Sequence, residues 1–137
     1  MKNLSKWCVI LTIIAVVLAI RIKKYEHKNP ELVSTINSMN HEYCSVIVHK
    51  KYVEDKIELA LFLVELCKEN AFDNIKFATD VRGYPSEVWL NVYLTEKDFK
   101  KGNKYMNVRY EMKVYKKDSN IRDNSENYQL YIDNVKI

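Results

Sequence analysis

Glycine and proline are scarce, two of each in 137 residues. That excludes the glycine-rich loops that cradle phosphates, and with them the common nucleotide-binding fingerprints. Cysteine numbers three, an odd count with no Cys-x-x-Cys and no Cys/His cluster, which removes the usual zinc modules. Cys8 stands inside an apolar run, so only Cys44 and Cys67 are left as candidates for a bridge, and their spacing permits one without demanding it. Histidine is equally thin. His41, Glu42 and His49 specify no further metal ligand, Ser45 and Ser86 have no nucleophile setting, and an Asp80/Glu87 carboxylate pair has no fixed separation. No metal and no cofactor is expected, catalysis has little support, and no internal repeat is visible.

One long apolar run is present, Trp7 to Ile20, closed by Arg21, Lys23, Lys24 and Lys28. Its 14 residues, at about 1.5 Å rise each, extend about 21 Å against a hydrocarbon core of about 30 Å. Lys6, Arg21 and Lys23 can offset the shortfall by snorkelling from the ends. The basic amino end also suits a cleaved signal peptide, but the residues after Ala19 offer no small-x-small site. A soluble packed helix would show a polar stripe, and only Thr12 interrupts this one. The reading is an uncleaved, single-pass membrane anchor with its basic flank over residues 1–29, attached to lipid through residues 7–28. The flanking charges lean towards a cytoplasmic domain. A short tail, a short core and a long remainder have instead the look of a signal-anchor, and on that ground the extracytoplasmic side is favoured.

Removing that segment changes the charge. The chain is formally +4, but residues 1–29 hold six of its 22 basic side chains and one of its 18 acids, which leaves 16 against 17 and a net of −1. The basicity belongs to the first segment and gives no argument for a nucleic-acid partner, which is not expected. Low glycine with abundant lysine and asparagine suggests an AT-rich bacterial gene.

Residues 30–137 are long enough for one small α+β domain. Asn29-Pro30 opens it, and Leu32, Ile36, Met39 and Tyr43 recur at helical spacing. Residues 44–53 are ambiguous between a continued helix and a short strand at Val46-Ile47-Val48. Glu54 to Lys68 reads as the main helix, apolar round more than half its circumference and with acids at its positive end. The second half reads as strands. Ile75, Phe77, Thr79 and Val81 share one parity; Val88, Leu90, Val92 and Leu94 share another; Met106 to Val114 alternates likewise. Residues 82–86 form a connection, Thr95 caps a short helical turn ended by Gly102, residues 117–127 are a solvated polar loop, and Tyr128 to Ile137 is a last strand bent near Asp133-Asn134. The expected fold is therefore an N-terminal transmembrane anchor followed by one or two helices packed on an antiparallel sheet of about four strands.

Binding candidates lie opposite the apolar parity. Trp89 and Tyr93 on one strand, with Tyr105, Arg109 and Lys113 around the next, combine large amphipathic rings with cationic neighbours and could stack on a base, a sugar or a peptide. Arg82 and Tyr84, in the 82–86 turn, form a second candidate. Against the first stands plain cross-strand packing on a solvated sheet, and against the second a turn with a local ion pair and an aromatic lid. The function that follows is a membrane-anchored accessory or interaction module, with a protein partner or a second copy bound through the aromatic outer face or the 82–86 turn. The alternative is a small extracytoplasmic hydrolase or ligand-binding protein whose site carries no motif.

Overall fold

A computed structural model describes residues 28–137. The anchor read at Trp7 to Ile20 lies outside the described residues, as does most of the lipid-attachment stretch 7–28. Among the described residues no helix is long and apolar enough to cross a membrane. The described residues thus hold no span on which a single-pass anchor, the lipid attachment or the membrane localisation could rest, and the expected antiparallel sheet of about four strands is corrected: the architecture is α+β, with three short helices and a six-stranded mixed sheet.

The strands, in spatial as in chain order, are β1 (Glu31–Ser38), β2 (His41–Ile47), β3 (Glu87–Tyr93), β4 (Met106–Met112), β5 (Tyr128–Ile132) and β6 (Val135–Lys136). All neighbours are antiparallel except β2 and β3, which run parallel. A parallel pair cannot be closed by a tight turn, so the chain between β2 and β3 must cross one face of the sheet. That crossing carries α1 (Lys56–Lys68) and the four-residue α2 (Thr79–Arg82), while α3 (Glu96–Lys101) joins β3 to β4.

The helix expected over residues 30–43 is instead the β1/β2 hairpin. Its four-three-four spacing of apolar residues proved accidental, since Leu32 is buried but Ile36 is 66 % and Met39 92 % exposed. β-branched Val33, Thr35 and Ile36 favour the strand. Met39 and Asn40 both take positive φ, the geometry of a two-residue hairpin turn. Register with β2 shifts between Leu32 and Ser34, leaving a bulge at Val33. The ambiguous stretch resolves in favour of a strand through Ile47, with Val48 still bonded to the Tyr93 carbonyl.

α1 starts where Asp55 accepts hydrogen bonds from Ile57 N (2.7 Å) and Glu58 N (3.1 Å). Leu59, Ala60, Leu63, Val64 and Cys67 form its buried stripe. They face Cys44 and Val46 of β2, Val88, Leu90 and Val92 of β3, Met106 and Val108 of β4, and Leu130 and Ile132 of β5. Burying each such side chain contributes about 1.5–3 kcal/mol. Because residues 31–47 sit in the sheet and do not cover α1, Ile57, Leu61 and Phe62 stay exposed on its outer side.

Three further readings change. Ile75 to Val81 is not a strand: Phe77 is buried, Val81 is exposed in α2, and Asn70 holds Phe77 through both its backbone N–H and its carbonyl. The polar loop is tied down by Ile121, fully buried and bonded to the Pro85 carbonyl, and ends in a 3-10 turn at Ser125–Asn127. The bend near the end is a two-residue turn, with Asp133 and Asn134 at positive φ, that folds β6 back on β5. The turn at Thr95 matches expectation: Thr95 accepts from Asp98 N, and Gly102, at φ 71°, closes α3 in the left-handed conformation.

Candidate functional site

Alternation puts the core side chains of β2 to β5 on the face beneath α1 and the remaining ones on the opposite, open face. α3 covers that open face at one end, where Phe99 packs edge-on against Tyr93 at 5.2 Å. Asn91 and Asn107 form the next row. The Asn91 Oδ1 accepts from Lys104 Nζ (3.1 Å) and Asn107 Nδ2 (3.2 Å), and the Asn107 backbone N–H donates to Asp133 (2.8 Å).

A row of rings and a guanidinium comes next. Tyr43 is paired with Trp89, Trp89 with Arg109, and Arg109 with Tyr131 across four strands. Tyr43 and Trp89 are 5.4 Å apart and tilted by 59°. The Arg109 guanidinium lies 5.2 Å from the Trp89 ring and 5.0 Å from Tyr131, close enough for cation–π attraction to both. Trp89 Nε1 and Arg109 Nε are covered and have no hydrogen-bond partner. The rings that flank the Arg109 guanidinium offer only weak N–H···π acceptance.

The outermost row is ionic. His41 lies opposite Glu87, with its Nδ1 3.6 Å from the Glu87 carboxylate. Glu111 on β4 is bound by Arg109 at 2.8 Å and lies opposite Gln129 of β5. Burial raises the Glu111 carboxyl above its ordinary range; Arg109 and His41 pull it back and the charge of Glu87 pushes it up again. Thus two half-buried carboxylates share one guanidinium and one histidine, and with the histidine neutral the group carries a net −1. The four residues come from three strands, and no metal-ligating cluster is present among the described residues.

Of the residues singled out from sequence, the fold brings together Trp89 and Arg109. Tyr93 is on the same face but packed by Phe99. Tyr105 is turned the other way, against the core and beneath Lys56, whose ammonium is 4.8 Å from its ring. Its position just before β4, where the strand has not yet begun, broke the parity argument. Lys113 is engaged beyond the strand end by the Glu126 carbonyl (3.0 Å). Arg82 is exposed on α2, and Tyr84 is taken up by Arg122, which donates to its hydroxyl at 2.9 Å and stacks on its ring. Tyr43, His41, Glu87, Glu111 and Tyr131 were missed as members of one site. The equal parity of Glu87, Glu111 and Trp89 was a usable signal; nothing local announced that His41 would lie beside Glu87.

A groove of about 460 Å³ lies elsewhere, at the start of α1, between Lys50, Tyr52, Val53, Glu54, Glu58 and Phe62. Its remaining acid, Asp55, is used in capping the helix. Cys44 and Cys67 are free thiols in the core, so the bridge left open by their spacing is not formed. Burial pushes the Cys44 thiol up to about 12 and the Cys67 thiol well above its usual value, which makes both poor nucleophiles. Comparison with protein-family models, with curated proteins and with solved structures found no match to this chain.

Proposed function

We propose that this protein binds a small ligand carrying a positively charged group, on the open sheet face beside Tyr43 and Trp89. The observation that carries this reading is the grouping of His41, Glu87, Glu111 and Arg109 with two carboxylates for one guanidinium, half-buried on a face that none of the described helices covers there. One cation would complete the charge. The partly exposed Tyr43 ring, continuous with Trp89, supplies the flat apolar surface on which an organic ammonium is attracted. Because Trp89 Nε1 and Arg109 Nε are covered, the ligand would meet the Tyr43 ring and the carboxylates of Glu87 and Glu111, which keep a minor share of their surface exposed. The expectation of a membrane-held interaction module is replaced by this ligand-binding reading, since no spanning helix stands behind the former among the described residues.

Isothermal titration with phenethylamine, an aromatic monoamine, tests it against phenylacetate, which keeps the ring and reverses the charge. The amine binds and the acid does not. Glu87→Gln weakens the amine about 10- to 100-fold, the loss of one charge-assisted contact worth about 1.5–3 kcal/mol. Equal binding of the two probes, or none of either, refutes the proposal.

A further inference from the structure

β1 has a paired side and a free side. The two-residue turn at Met39 and Asn40 makes Ser38 and His41 the hydrogen-bonded closing pair of the hairpin. Alternation then points the backbone groups of Ser34, Ile36 and Ser38 at β2 and those of Thr35 and Asn37 outwards. Before the bulge, the outward groups of Leu32 are already used: its N–H donates to Asn74 Oδ1 (3.1 Å) and its carbonyl accepts from Asn74 Nδ2. Thr35 and Asn37 therefore leave two N–H and two carbonyl groups on an edge that is open among the described residues, while their side chains turn to the inner face and donate to Glu42. Ile36 stands on the open face beside its register partner Tyr43. Residues 32–38 contain no charge and no proline, the devices that ordinarily block an edge.

We propose that β1 pairs antiparallel with β1 of a second copy, about a two-fold axis through Ile36. In this register Thr35 exchanges both hydrogen bonds with Asn37 of the partner subunit, and Asn37 does the same with Thr35 of the partner subunit. All four free groups on each edge are satisfied. Ile36 meets Ile36 of the partner subunit in the non-hydrogen-bonded position, where Cα atoms approach to about 4.5 Å and side chains are closest. Ser34 lies opposite Ser38 of the partner subunit, so no like charges face each other. A second copy fits this edge because the strand is complementary to itself at every paired position. The other edge, β6, has just two residues, so each chain offers one long edge and the assembly closes at two.

Sedimentation velocity of the full chain, with thiol crosslinking in a Cys8→Ser background, tests this pairing. Twice the chain mass of 16.3 kDa is expected, and 16.3 kDa for Ile36→Lys, which sets two ammonium groups against each other. Because Ile36 is exposed, circular dichroism of Ile36→Lys should remain that of the parent. Ile36→Cys should form a disulfide dimer under mild oxidation. Ser34→Cys should not, as the two copies of that position are displaced by about 13 Å along the strands, beyond the reach of a disulfide. A parent chain that stays at 16.3 kDa up to its solubility limit, an Ile36→Lys dimer as stable as the parent, or equal crosslinking at both positions would overturn the proposal.

Discussion

Among the described residues Glu42 is the one buried carboxylate, and replacing Thr35 by valine should expose how it is tolerated there. Glu42 is 7 % exposed. One of its oxygens accepts from Thr35 Oγ1 at 2.6 Å and the other from Asn37 Nδ2 at 2.8 Å. Thr35 Oγ1 is itself 3.7 Å from the Cys44 thiol, so the hydroxyl sits at the margin of the packed interior. Thr35→Val keeps shape and strand preference but deletes the donor, leaving one oxygen of a buried acid unserved. A hydrogen bond to a charged group contributes about 1.5–3 kcal/mol, and a loss near the middle of that range lowers the melting temperature by roughly 10 °C for a chain of this size. Urea unfolding followed by circular dichroism measures the change directly. The triple variant Thr35→Val/Asn37→Val/Glu42→Leu should recover most of the loss, because replacing the carboxylate and both of its donors by apolar groups leaves no unserved polar group. If Thr35→Val alone costs less than about 0.5 kcal/mol, the carboxylate is served by water and this account of its burial is wrong.

Asp55→Ala should destabilise the protein by about 1 kcal/mol in the same urea assay, since it removes the side chain that accepts from two α1 amides. Glu111 binds its proton more tightly in the folded than in the unfolded chain, because burial raises its carboxyl above 4.5. Its contribution to stability is thus complete below about pH 4.5 and lost as pH rises through the raised value. Glu111→Gln should flatten that part of the stability profile, and an unchanged slope would contradict the assignment. In a Cys8→Ser background, Cys44 and Cys67 should resist a thiol reagent at pH 8 while folded and react together on unfolding, as expected of buried thiols held far above that pH. Rapid labelling of the folded protein would refute it.

Elements written in local pattern were legible from the chain. β3 follows the alternation of Val88, Leu90 and Val92, α3 follows its Thr95 cap and Gly102 stop, and α1 follows its apolar stripe. Where two periods fitted the same residues, the pattern misled. Leu32, Ile36, Met39 and Tyr43 satisfy helical spacing, yet the β-branched run and a turn that lacks the usual Asn-Gly decide for a hairpin. Phe77 and Ile121 are buried from irregular segments, held by side-chain and backbone bonds that no periodicity reports. The candidate site was half legible for the same reason. Parity alone places Trp89, Arg109, Glu87 and Glu111 on one face. Bringing His41 and Tyr43 to them requires the parallel pairing of β2 with β3, a contact across more than forty residues that residue preference does not encode.

The most direct measurement is the indole N–H resonance of Trp89, one of two tryptophans, in a Trp7→Phe chain titrated with phenethylamine and, separately, with phenylacetate. If the open face is the binding site, that resonance shifts saturably with the amine, stays still with the acid, and in Glu87→Gln needs about 10- to 100-fold more amine for the same shift. A Trp89 resonance that does not move while the amine is added to excess would contradict the account.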